Sequence, residues 1–253
     1  ENVVENVDFS SSAADIVADE NGIDIKSEGI LNSSPAYVSV WAGFKGENNY
    51  TVKLNTQAKE DDVAKLVKDF DQYVTGNTDL EFEYKSNGKT NSLIGKLDFL
   101  ESEVNFPYIS WLKKKGEFAV ISFTGRNADF RVLDIKNLQL TTSNSVSSGR
   151  AIIALEKGAP NEVYFSRLRA GENDAELYYS SSAVTDKKKN ILGYADIVKV
   201  TGQLFNANGL ISNFKSSTTS TKSSLTLDVN VDKLKMSNGE VFNNFEAHLK
   251  CGM

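Results

Sequence analysis

The chain has 253 residues, 40% of them hydrophobic, a formal net charge of -6 and a pI near 5.0. That length and apolar content suffice for a sizeable buried core, and the acidic balance argues against a nucleic-acid partner, whose affinity comes largely from basic groups neutralising phosphates. The single cysteine, Cys251, excludes an intrachain disulfide. No apolar run approaches the roughly 18 residues of a bilayer-spanning helix, and none of these residues is expected to form a signal peptide.

Taken in chain order, the elements read as strands with one interruption. YVSVWAGF (37–44) and NNYTVKLNTQ (48–57) are strand-like. In EDDVAKLVKDFDQYVTG, by contrast, Val63, Leu66, Val67, Phe70 and Val74 recur at helical spacing. Glu60, Asp61 and Asp62 complement the dipole of the first turn, and Gly76 is a plausible stop. The spacing predicts a helix over about 61–74, lying across one end of a sheet. DLEFEYKSNGKTNSLIGKLDF then places Leu80, Phe82 and Tyr84 on one face and Glu81 and Glu83 on the other, turns at SNGK, and returns with Leu97 and Phe99 inward. FAVISF, DFRVLDI, RAIIAL, EVYFSRL, AELYYSS and YADIVKVTGQLF continue the strand series.

The run SSTTSTKSS (216–224) is expected to be a flexible loop and TDKKKN (185–190) a charged hairpin tip. In SLTLDVNVDKLKM, Leu225, Leu227, Val229 and Val231 share a face, and the phase slips after Asp232, which suggests a bulge or bend. An Asn-Gly turn leads to FEAHLKC, with Phe245, Ala247, Leu249 and Cys251 on one face. The expected architecture is mostly β: a long antiparallel meander with one short amphipathic helix, in a single segment over 1–253. Because the chain begins at Glu1 without methionine and stops just after a strand-like segment, it is expected to be a fragment of a longer protein.

Catalytic chemistry has little to work with. His248 is the one histidine, and strand alternation turns it away from Cys251. The His and Cys ligands of a metal site do not cluster, no D-x-D-x-D-G loop occurs, and no glycine-rich phosphate loop joins a strand to a helix. Glu81 and Glu83 read as a solvated strand face. No enzyme activity and no cofactor or metal are expected. What the sequence does supply is many amphipathic strands and little helix to cover them. Their apolar face must pack on a second sheet, close as a barrel, or curl over a guest.

One stretch narrows this choice. NFPYISWLKKKGEF (105–118) follows the strand LIGKLDFLESEV and precedes AVISF. It resembles the central region of AsmA-like bacterial envelope proteins of the YhdP type, with Pro107, Trp111, Lys113, Gly116 and Glu117 at the matching positions. Lys114 stands where that family often has proline. The order of AYVSVWAGF, NNYTVKLNTQ, the helix, GNTDLEFEY, VKVTGQLFNANGLI and LTLDVNVDKLKMSNGEVFNNFEAHL is similar too, over about residues 25 to 250. The resemblance implies a curved, groove-like sheet in the bacterial periplasm. The full-length protein would be held in the inner membrane by an anchor outside this chain, continue into neighbouring β segments, and carry phospholipid acyl chains between membranes.

On that reading Leu80, Phe82, Tyr84, Leu97, Phe99, Leu225, Leu227, Val229, Val231, Phe245 and Leu249 line the groove. Trp111 closes it near the sheet edge, with Lys113, Lys114 and Lys115 at a solvent-exposed rim facing anionic head groups. The sequence alone leaves open whether the apolar stripe is groove lining or ordinary core, and whether WLKKKGE is a rim or a plain turn with a packed tryptophan. The alternative function is a structural or protein-interaction β domain of the envelope with a filled core.

Overall fold

The computed structural model describes residues 8–45, 49–64, 70–127, 132–154, 159–185, 191–209, 224–236 and 238–251. In chain order the strands are β1 (Phe9–Ser10), β2 (Asp15–Ala18), β3 (Gly22–Leu31), β4 (Ser34–Gly43), β5 (Asn49–Lys59), β6 (Val74–Asn87), β7 (Asn91–Asp98), β8 (Ser102–Phe106), β9 (Trp111–Lys113), β10 (Ala119–Asn127), β11 (Val132–Thr142), β12 (Val146–Ala154), β13 (Ala159–Leu168), β14 (Asp174–Thr185), β15 (Ile191–Asn206), β16 (Ser224–Lys235) and β17 (Val241–Cys251). One short helix, α1 (Glu60–Ala64), lies between β5 and β6. The fold is thus mostly β: among the described residues, a large, mostly antiparallel open sheet that does not close into a barrel. The chain divides into two compact units. The first comprises Glu1–Val104, Lys114–Ser143 and Ile153–Ala159, and the second Asn105–Lys113, Asn144–Ile152 and Pro160–Met253.

In the first unit β3, β4, β5, β6 and β7 pair antiparallel in sequence order, and β7 then pairs with β10, which pairs with β11. The hairpin at SNGK forms as its residues demand. Gly88 takes φ +77°, and the Asn87 carboxamide oxygen accepts hydrogen bonds from the Lys89 and Thr90 N–H groups at 3.0 and 2.8 Å. The helix is shorter than its apolar spacing predicts. Within the described residues it ends at Ala64, a 3-10 turn covers Phe70–Gln72, and Val74 already belongs to β6. Residues 65–69 lie outside the described set. Gly76 is not a helix stop. It sits inside β6 at φ +102° and donates its N–H to the Glu60 carboxylate at 2.9 Å. The helix does cap one end of the sheet, where Val63 packs with Ala58 and Leu80. Asp62, 3% exposed, holds it there by accepting the Ser33 and Ser34 hydroxyls, each at 2.6 Å.

In the second unit β13 pairs with β14, β14 with β15 and β16 with β17, all antiparallel. The departure from a pure meander is β15 with β16, which run parallel from Ala195↔Ser224 to Asn206↔Lys235. Parallel neighbours need a crossover connection rather than a tight turn. Most of that connection, with the loop expected over 216–224, lies outside the described residues, although Ser224 already opens β16. Residues 186–190, including Lys187, Lys188 and Lys189, lie outside it too. The phase slip after Asp232 has a structural counterpart. Asp232 and Lys233 are both exposed before Leu234 turns back inward at 4% exposure, and β15 bulges at Gln203 against β14.

Candidate functional site

Strand registry assembles the first unit's apolar residues into rows that run across the strands. The central row is Val38–Leu54–Phe82–Gly95–Phe123–Leu138. On one side of it lies Ile25–Val40–Val52–Tyr84–Leu93–Gly125–Ile135, and on the other Ala36–Thr56–Leu80–Leu97–Ile121–Leu140. Gly95 is small for a reason: a Cβ there would come within 2.2 Å of the Phe123 ring, which lies over it. Phe82 and Phe123 meet across this gap, with ring centroids 6.2 Å apart.

The opposite face of the same strands is charged. Lys53 pairs with Glu83 at 3.1 Å, Lys85 also pairs with Glu83, and Lys96 pairs with Glu81 at 2.8 Å. The ammonium groups of Lys85 and then Lys53 hold the Glu83 carboxyl below the usual carboxylate range. An open depression of about 640 Å³ on this side mixes polar groups, among them Glu28, Asn55 and Glu81, with the apolar Pro35, Ala36 and Leu80.

Every apolar residue of the central row is only half-buried. A sheet face sealed by a second layer would bury such residues almost completely. In the neighbouring row, burial and then the hydrogen bond with Tyr50 push the Tyr84 phenol up to about 12.

The second unit also has an apolar face, but its own side chains finish it. Val198–Leu227–Leu249, Leu177–Val200–Val229–Ala247 and Ala175–Gly202–Val231–Phe245 form its rows. Leu227, Val229 and Val231 are 7%, 5% and 2% exposed and cluster with Val200, Phe205 and Leu234.

The sequence-predicted lining residues therefore fall into two sets that belong to different units. Phe82, Tyr84 and Leu97 are half-exposed on the first unit's face, with Leu80 and Phe99 fully buried at its capped end. Leu227, Val229 and Val231 are core, Leu225 and Phe245 flank that core half-buried, and Leu249 on the edge strand β17 is 51% exposed. Val38, Leu54, Phe123 and Leu138 were not singled out from the sequence, although YVSVWAGF, NNYTVKLNTQ and FAVISF carry the same alternation that marked β6.

The rim needs correction. Lys113 is 2% exposed and lies on the same side of β9 as Trp111, itself 5% exposed and stacked on Phe106 at 5.9 Å. Residues two apart on a strand share a face, so Leu112, 53% exposed, faces out in their place. Lys114 and Lys115 are exposed, but Lys115 is paired with Glu101 at 3.0 Å and the Lys114 N–H donates to the Glu117 carboxylate at 2.9 Å. Gly116, at φ +84°, makes the turn into β10. His248 faces Asp228 on the polar side of the second unit, with its Nδ1 in hydrogen-bond contact with the Asp228 carboxylate.

No protein-family model, curated protein or solved structure matches the chain. Among the described residues, no helix is long and apolar enough to cross a membrane.

Proposed function

We propose that this chain is a non-enzymatic segment of a periplasmic, inner-membrane-anchored protein resembling the YhdP type of AsmA-like proteins. In this reading it shields phospholipid acyl chains on a groove-like apolar sheet face. The incomplete burial of Val38, Leu54, Phe82, Phe123 and Leu138 along the central row carries the reading. Seven adjacent strands spaced about 4.8 Å apart make that face about 29 Å across and three rows make it about 13 Å along the strands. One leaflet's acyl chain spans about half of a hydrocarbon core roughly 30 Å thick, or about 15 Å, so it fits across the strands. Each methylene removed from water contributes about 0.8 kcal/mol, and no head-group chemistry is needed for a chain to be held. Native mass spectrometry with lipid extraction on the chain purified from bacterial cells tests the proposal. Phospholipid that co-purifies with the parent and is lost in a folded Leu54→Asp, Phe82→Asp variant supports it; lipid-free parent protein that also takes up none on incubation with phospholipid sinks it.

A second reading, a protein-interaction β domain of the envelope with a filled core, draws on the second unit's closed cluster around Val229. In that reading both units melt cooperatively without lipid, and the first unit's face is covered by a protein partner.

A further inference from the structure

The second unit contains a polar notch of about 200 Å³ lined by Asn144, Ser145, Arg169, Gly171, Asn173 and Asp174. Arg167 and Arg169 flank Leu168, which is 2% exposed, so both guanidinium groups lie on the side of β13 away from the core, where they meet a single carboxylate. Arg167 takes both oxygens of Asp174, with Nε–Oδ1 and Nη2–Oδ2 each at 2.6 Å. Arg169 is left with a 3.6 Å contact between its Nε and Oδ2, too long for a good hydrogen bond. The nearby Glu172 does not make up the charge, because Lys235 holds it at 2.6 and 2.7 Å. Two arginines against one carboxylate leave one positive charge in surplus.

The backbone of Arg169 is fixed from both sides. Its N–H donates to the Ser147 hydroxyl at 2.7 Å, and its carbonyl accepts the Ser145 hydroxyl at 2.7 Å. The back wall is rigid as well. The Asn173 amide donates to the Ile109 and Ala170 carbonyls at 2.7 and 2.8 Å, and its oxygen accepts the Asn206 N–H at 2.9 Å. Gly171 adds no side chain to the opening. A planar guanidinium fork on a fixed backbone, with only a 3.6 Å contact to the carboxylate beside it, in a notch several water volumes in size, suits a bidentate oxyanion.

We propose that this notch binds a phosphate oxyanion through Arg169, whether the phosphate of a lipid head group or free phosphate. The inference does not depend on the acyl-chain reading, since free phosphate alone would satisfy it. The test follows the arginine Nε–H signals of the full chain by NMR during titration with inorganic phosphate, with chloride and acetate at matched ionic strength, and with dihexanoyl phosphatidic acid. Phosphate is expected to shift the Arg169 signal saturably, chloride and acetate to leave it in place, and R169Q to weaken phosphate binding about tenfold or more, as loss of a charge-assisted hydrogen bond implies. R169K, which keeps the charge and loses the fork, is expected to fall between. Tighter binding of the short-chain lipid than of phosphate identifies the head group as the source, and equal binding identifies free phosphate. Equal shifts from chloride or acetate, or unchanged phosphate binding in R169Q, would overturn the proposal. In every case R169Q leaves acyl-chain contact with the first unit's face unaltered, so the two readings fail separately.

Discussion

The faces of the two units are built from the same alternation and end differently. In the second unit, Val200, Val229 and Val231 are buried to 5% exposure or less, and Phe205 and Leu234 complete the cluster. In the first unit, Val38, Leu54, Phe82, Phe123 and Leu138 stay half-buried, while the margins around them close, at Leu80 and Val63 under α1 and at Ile135 and Leu140 on β11. An amphipathic strand states which side is apolar; what covers that side depends on elements elsewhere in the chain. In the second unit β15 and β16 turn Phe205 and Leu234 into the cluster, whereas among the described residues of the first unit α1 caps the sheet at one end.

Substitutions that probe this contrast should separate the units. Val229→Asp places a carboxylate in a closed core and is expected to destabilise the second unit by about 4 kcal/mol. Phe82→Asp, on a half-exposed face, is expected to cost the first unit only about 1–2 kcal/mol. Equal losses in urea unfolding would erase the distinction drawn between the two faces.

Asn173→Ala is the next largest change. It removes three hydrogen bonds, one to Ile109 in the 105–113 segment, one to Ala170 and one from Asn206 at the end of β15, and a loss of about 2–3 kcal/mol is expected from the buried partners left unsatisfied. Hydrogen exchange should localise the opening to residues 105–113 and 206–209. Gly95→Ala pushes a methyl into the Phe123 ring and is expected to cost about 1–2 kcal/mol by overpacking. Adding Phe123→Leu should recover most of that loss, and no recovery would mean that the glycine is needed for its backbone and not for the ring.

The pH dependence is the smallest effect and differs between units. Arg167 holds the Asp174 carboxyl, and Lys235 the Glu172 carboxyl, below the usual range. Their contribution to the second unit is present above the ordinary carboxylate range and is lost as pH falls below about 4. Tyr84 runs the other way: its phenol is raised to about 12, so its contribution to the first unit is full below about pH 10 and is lost as pH rises through the folded value. Near-ultraviolet absorbance should show one tyrosine ionising late, and that late step should vanish in Tyr84→Phe.

Much of this was legible in the sequence. Period-2 alternation located β6, β7, β16 and β17, and SNGK and SNGE marked their hairpins, because both signals are local. The buried Lys113 was not: a run of three lysines reads as solvent, and only its place two residues from Trp111 on β9 shows that one of them shares the buried side. The parallel β15–β16 pair was missed because pairing across a long connection has no local signature. The apolar spacing continuing past Ala64 overstated the helix, since Phe70 and Val74 satisfy packing on the sheet without α-helical backbone at those positions. Arg167 and Arg169 carried no motif, and their shared carboxylate comes from the next strand.

The most direct test of the central claim places a phospholipid with a spin label on its acyl chain against the full chain and reads paramagnetic broadening at methyl groups. The account predicts strong broadening at Val38, Leu54 and Leu138 and little at Leu227, Val229 and Val231. Broadening confined to the second unit's core, or no saturable broadening at the first unit's face, would contradict it.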